Sequence, residues 1–107
     1  MTNSRAKGAR GEREWARYLR SLGYQDARRG QQFSGSPDSP DVAHGIPGTH
    51  PEVKRVERLN IHDAMHQAQE DAGAAVPYVA HRRNNGEWMV TIRADDIRRF
   101  AALLFDD

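Results

Sequence analysis

The chain has no cysteine, which removes disulfide frameworks, thiolate metal sites and cysteine nucleophiles together. It also lacks any apolar run of the roughly 18 residues that a membrane-spanning helix needs. Its opening, Met1 to Lys7, runs into charge instead of an apolar stretch, which argues against a secretory leader and makes a cytoplasmic location the expectation. Aromatic residues make up only 7%, and nothing in their spacing reads as a base-stacking platform or a base-reading helix. The chemistry left to this chain is that of oxygen, imidazole and amine groups.

What remains is one domain's worth of chain, 107 residues with 37% hydrophobic content, too short for a second core. The net charge of +1 hides a gradient. Residues 1–30 carry eight Lys/Arg against three Asp/Glu, whereas the remainder carries eight against twelve. A basic N-terminal part points to a polyanionic partner or, more simply, to an exposed helix kept soluble by arginine.

Apolar Trp15, Ala16, Leu19 and Leu22 recur at helical spacing between Ala9 and Leu22, with Gly23 as a stop. Tyr24 to Arg29 reads as a short strand, and the turn-rich segment from Gly30 to Pro40 as a loop. Asp41-Val42-Ala43 and Glu52-Val53-Lys54-Arg55-Val56 flank a Gly45-Ile46-Pro47-Gly48 turn, so residues 41–44 and 52–56 are expected to pair as antiparallel strands. Ile61, Ala64, Met65, Ala68 and Ala72 form a second helical stripe, with Asn60 placed to cap it and Gly73 beyond its end. Val76–His81 and Glu87–Ile92 flank Asn84-Asn85-Gly86, a hairpin signal, and Asp95-Asp96 opens a last helix bearing Ile97, Phe100, Ala101 and Leu104. The predicted order is α-β-β-β-α-β-β-α, a mixed α+β or α/β domain.

On a helical wheel Glu12 falls between Trp15 and Ala16, within about 20° of Leu19, and therefore faces the core. Glu14 lies roughly 200° away and should be solvated, while Arg10, Arg13, Arg17 and Arg20 line one flank. An inward carboxylate needs a partner cation, so Glu12 is either half of a buried ion pair or a group that serves a metal or a nucleophile. Strand alternation puts Glu52 and Lys54 on one face and Val53 on the other. Asp41 beside them would create a carboxylate pair whose repulsion a hard cation such as Mg²⁺ relieves.

Taken together, Lys7-Gly8-Ala9-Arg10-Gly11-Glu12-Arg13-Glu14, Arg28, Pro40-Asp41-Val42 and Glu52-Val53-Lys54 resemble the PD-(D/E)XK nuclease superfamily. Within it they look like archaeal-type Holliday-junction resolvases and their phage relatives. The similarity runs from Lys7 to Ile92. It implies a restriction-endonuclease-like core, a central mixed sheet flanked by helices. It also implies a metal-dependent endonuclease that acts on branched DNA as a homodimer, with Mg²⁺ or Mn²⁺ as cofactor. Glu12, Asp41, Glu52 and Lys54 take the catalytic positions by this resemblance. Asp41, Glu52, the Val53 carbonyl and Glu12 take the metal-binding ones, and Arg13 with Arg28, or Arg29 in its place, takes the phosphate contacts.

The chain departs from the family pattern in two places. A second Pro-Asp, Pro37-Asp38, precedes Pro40-Asp41 and competes for the aspartate role. Gly48-Thr49-His50-Pro51 also replaces the usual apolar run before Glu52, and Pro51 cannot donate to a ladder, so the strand bearing Glu52 is expected to be short or at an edge.

Outside the motif, His62 and His66 share a helix face, but without a third ligand they read as surface histidines. Gln67, with Gln69 near it, is either an active-site amide or a solvated one. Arg82 and Arg83 beside the hairpin turn suit a phosphate contact or a solvated turn. Lys7, Arg10 and Arg13 continue a basic N-terminal arm, expected to be flexible over residues 1–6. Phe100, Leu103, Leu104 and Phe105 suit either a dimer interface or packing on the chain's own sheet. The alternatives to a resolvase are a less selective nicking nuclease and a catalytically silent DNA-binding module.

Overall fold

The structure, a computed structural model, describes residues 4–30 and 41–105, with side chains from Gly8 onward; Asp38 and the Lys7 side chain lie outside the described residues. The elements are α1 (Ser4–Ser21), β1 (Arg28–Arg29), β2 (Val42–Ala43), β3 (Thr49–Arg55), α2 (Ile61–Ala72), β4 (Val76–Arg82), β5 (Met89–Thr91), a 3₁₀ turn (Ala94–Asp96) and α3 (Ile97–Phe105). Their order is the one predicted, and the domain is mixed α+β. The start of α1 is not. Helix-favouring Arg5, Ala6, Lys7 and Ala9 outweigh Gly8, so the helix begins at Ser4 and takes in part of the segment expected to be a flexible arm. In α2 the Asn60 side chain accepts the Asp63 N–H at 3.1 Å, and Gly73, at φ 58°, ends the helix as the sequence indicated.

The strands form a three-stranded sheet of order β3-β4-β5 and a separate two-stranded ladder of β1 and β2. This overturns the expected pairing of residues 41–44 with 52–56. Strand β2 pairs with β1, Arg29 opposite Val42, and β3 runs parallel to β4 with Glu52 opposite Val79 and Lys54 opposite His81. The cause is local. The connection after β2 is held down by buried Ile46, and Gly45 lies so close to Leu19 that a Cβ there would stand 2.8 Å from its Cδ1. The chain is thereby steered under α1 instead of folding back as a hairpin. Strand β3 is an edge strand, but seven residues long. Pro51 is tolerated inside it because odd-numbered positions turn their N–H away from β4, so no ladder bond is lost.

One face of the sheet is covered by α1 together with Phe100 of α3, the other by α2. Trp15, Ala16 and Leu19 of α1 pack with Val53, Tyr78, Ala80 and Phe100 on one face, and Ala64, Met65 and Ala68 of α2 pack on Val79 on the other. Gly11 lets α1 approach closely, since a Cβ there would sit 3.1 Å from the Arg55 Cβ. The Trp15 indole N–H donates to the Tyr78 hydroxyl at 3.0 Å, so the largest buried ring is also satisfied. Phe100 of α3 packs edge-on against Tyr78 at 5.7 Å, whereas Ile97, Leu104 and Phe105 remain exposed.

Asp96, a helix-start signal in the sequence, is 2% exposed. It accepts two bonds from Arg93, at 2.9 and 3.2 Å, and one from Arg99 at 3.2 Å. Arg99 in turn donates to the Ala74 carbonyl at 3.1 Å, which ties α3 to the segment after α2. Both arginines reach solvent and can rehydrate. Asp96→Ala is therefore expected to cost about 2 kcal/mol, less than a fully buried pair would, as read by urea unfolding. A loss within a few tenths of a kcal/mol would show that the network does not hold α3.

Candidate active site

Alternation along β3 places Glu52 and Lys54 on the face covered by α2, and Val53 on the face covered by α1. Glu12 comes from α1 and so approaches from the Val53 side. The two sides meet at the outer edge of β3, where Asp41 Oδ2 accepts the Val53 N–H at 2.9 Å. A carboxylate there fills the place of a neighbouring strand's carbonyl. Since a residue's N–H and C=O point the same way along an extended strand, the Val53 carbonyl faces this edge as well.

The electrostatics of this edge are unbalanced. Glu52 is buried, and its pKa is pushed up to about 8. Burial is the main cause and the nearby Asp41 charge adds to it, while Lys54 pulls the other way and Asp71 of α2 adds a smaller upward push. Glu12, with its side chain only 12% exposed, is held by the Arg29 Nε at 2.8 Å. Its pKa nevertheless rises, because burial and the Asp41 charge outweigh the arginine. Asp41 thus lies in the field of both glutamates, so the edge gathers Glu12, Asp41 and Glu52 electrostatically, with Lys54 on the same face as Glu52.

Among the described residues, no three His, Asp or Glu side chains converge into a ready-made metal cage. The donor chemistry nonetheless fits a hard divalent cation. Asp41 crowds Glu52 at this half-buried edge so that Glu52 keeps its proton, a cation can take that proton's place between the two carboxyl groups, and the Val53 carbonyl adds a third oxygen. Glu12 stands further back, on the other side of the strand, engaged with Arg29.

The basic residues divide. Arg10, Arg13 and Arg83 are exposed, and Arg28 is exposed with its guanidinium 3.4 Å from the His44 ring. Arg29 is committed to Glu12. Arg82 leans on the Trp88 ring at 5.7 Å and lies 3.8 Å from Glu14, which correlates poorly with a free phosphate contact. Glu14 itself corrects the wheel. It is not solvated but 2.8 Å from Arg55 Nε, although that N–H is not aimed at the oxygen. The wheel treated α1 alone and did not see that the end of β3 passes beside it. Gln67 is exposed on α2, and His66 pairs with Glu70 at 3.0 Å, in keeping with a surface histidine. Sequence reasoning passed over Asp71, whose only signal was its place on the inward side of α2. No family model, curated protein or solved structure matches this chain.

Proposed function

We propose that the chain is a metal-dependent DNA endonuclease that hydrolyses phosphodiesters in branched DNA, a four-way junction above all. The observation that carries this reading is the Asp41–Glu52 carboxylate pair at the outer edge of β3, with Glu52 held near pKa 8 and Lys54 on its face. A protein that only binds a polyanion has no use for converging acidic groups. The element order and the two-sided helical cover support a restriction-endonuclease-like core.

Asp41, Glu52 and the Val53 carbonyl would hold Mg²⁺ or Mn²⁺, which when bound supplies a more acidic water and charge neutralisation at the phosphate. Lys54 presents an ammonium to the attacking water or to the charge that builds on the phosphate oxygens. Glu12, oriented by Arg29, fixes the polar surroundings of Asp41 from the α1 side. Exposed Arg10, Arg13, Arg28 and Arg83 offer phosphate contacts whose strength falls steeply with salt. A homodimer would set two such sites for cuts in opposing strands, and exposed Ile97, Leu104 and Phe105 of α3 supply an apolar surface for it. The reading places the protein in the cytoplasm.

The test is incubation with labelled four-way junction, duplex and single-stranded DNA in Mg²⁺, Mn²⁺ or EDTA. Paired symmetric cuts in the junction alone, lost in EDTA and in Lys54→Ala, are the expected result. Cutting of all three substrates would make the protein a less selective nuclease, and tight binding without cleavage under any metal would leave a binding module.

A further inference from the structure

The sequence offered no stacking platform, yet the fold assembles one away from the carboxylate edge. Trp15, buried, is flanked by two rings. Tyr18 lies nearly parallel to it at 5.6 Å and 18°, and Trp88 tilts against it at 5.0 Å. Tyr18 is 42% exposed, so the ring is fixed on one side by Trp15 and reaches solvent with the rest. Tyr18 and Trp88 both line an open cleft of about 600 Å³ between α1 and the β4–β5 turn, together with Arg17, Arg82, Glu14 and Glu87. The cleft lies on the Glu14 side of α1, roughly opposite Glu12 on the helix.

From this arrangement we infer that the cleft takes an unpaired nucleobase of a single-stranded segment. The rings are already immobilised, so stacking on them costs little ordering, and any base has a face to offer. Arg17 belongs to the exposed arginine flank of α1 and meets the phosphate next to the base. Arg82, lying over Trp88, is set to extend the stack. Glu14 and Glu87 repel phosphate but accept from the amino and imino groups on a base edge, which orients the nucleotide with its base inward and its phosphate towards Arg17. The nature of the polymer rests on the nuclease reading, whereas the geometry of the cleft does not.

The test uses the whole chain in EDTA, so that cleavage plays no part. It is titrated with an oligothymidylate of about twelve nucleotides and with a duplex of equal length. The single strand is expected to quench tryptophan emission. Tyr18→Ala should lower the ratio of single-strand to duplex affinity about tenfold, and Tyr18→Phe should keep it. An oligonucleotide carrying 5-iododeoxyuridine should crosslink to Tyr18 or Trp88. Unchanged affinity ratios in Tyr18→Ala, crosslinks elsewhere, or no single-strand binding would each overturn the inference. A chain that binds in this way without ever cutting loses the nuclease reading alone. One that cuts junctions with an unchanged ratio loses the cleft alone.

Discussion

Asp41→Asn and Glu52→Gln are each expected to lower DNA cleavage by about a thousandfold while leaving the fold intact. Glu52→Gln should also make the protein more stable in mild alkali. The sign follows from the raised pKa. Unfolded, Glu52 releases its proton near pH 4.5, but folded it keeps that proton to about pH 8. The native state therefore binds more protons throughout this interval, so stability is full below about pH 4.5 and is lost as pH rises through 8. Solvent reaching the sheet edge screens part of the effect, and about 2 kcal/mol is expected at pH 8. Urea unfolding between pH 5 and pH 8 should show the wild type weakening with pH and Glu52→Gln holding level. Added Mg²⁺ should stabilise the wild type at pH 8 and do so far less in the variant. A variant that weakens in parallel with the wild type would show that Glu52 is not the group under strain. A fully folded variant that still cuts would remove Glu52 from the chemistry.

Trp15→Ala is expected to cost about 4 kcal/mol, a large fraction of the roughly 5–15 kcal/mol that holds a domain together. Trp15 is 2% exposed and touches Tyr18 on its own helix and, from elements distant in sequence, Tyr78 on β4 and Trp88 before β5. Truncation opens a cavity, removes three ring contacts and strips the buried Tyr78 hydroxyl of its donor. Burial raises the Tyr78 pKa, so the group that loses its donor is a neutral buried hydroxyl. Trp15→Phe keeps much of the volume and should lose roughly half as much. Denaturant midpoints at constant slope would give the comparison, and a loss below about 1 kcal/mol for Trp15→Ala would mean that the junction of α1 with the sheet is not packed as described.

The helices were the legible part of this fold. The inward turn of Glu12 and the Asn60 cap follow from periodicity within one element, and both are present in the structure. The pairing of β2 was not legible, because its partner was decided by Gly45 against Leu19 and by a carboxylate occupying the edge of β3. Neither leaves a trace in alternation. Similar long-range causes hid the Glu14–Arg55 contact, the tie from Arg99 to Ala74 behind the Asp96 network, and the approach of Trp88 to Trp15. Each joins residues far apart along the chain or places them where a single-element wheel has no information. For the candidate site, the sequence supplied the residue types and the alternation of Glu52 and Lys54. It did not supply the separation of Glu12 and Glu52 onto opposite sides of the strand.

The outer edge of β3 has a bearing on self-association. A naked edge strand is a template on which another chain can add. Here the Thr49 N–H is taken by the Ile46 carbonyl at 3.3 Å, Pro51 has no N–H, and the Val53 N–H is taken by Asp41. Three successive outward positions thus offer no donor to an incoming strand. Among the described residues this leaves β5, with Met89 and Val90 exposed, as the side from which the sheet can be extended. The Asp41 carboxylate, by holding the Val53 N–H, serves as a stopper against fibre-like growth, and any loss of its acceptor oxygens would reopen a sticky edge.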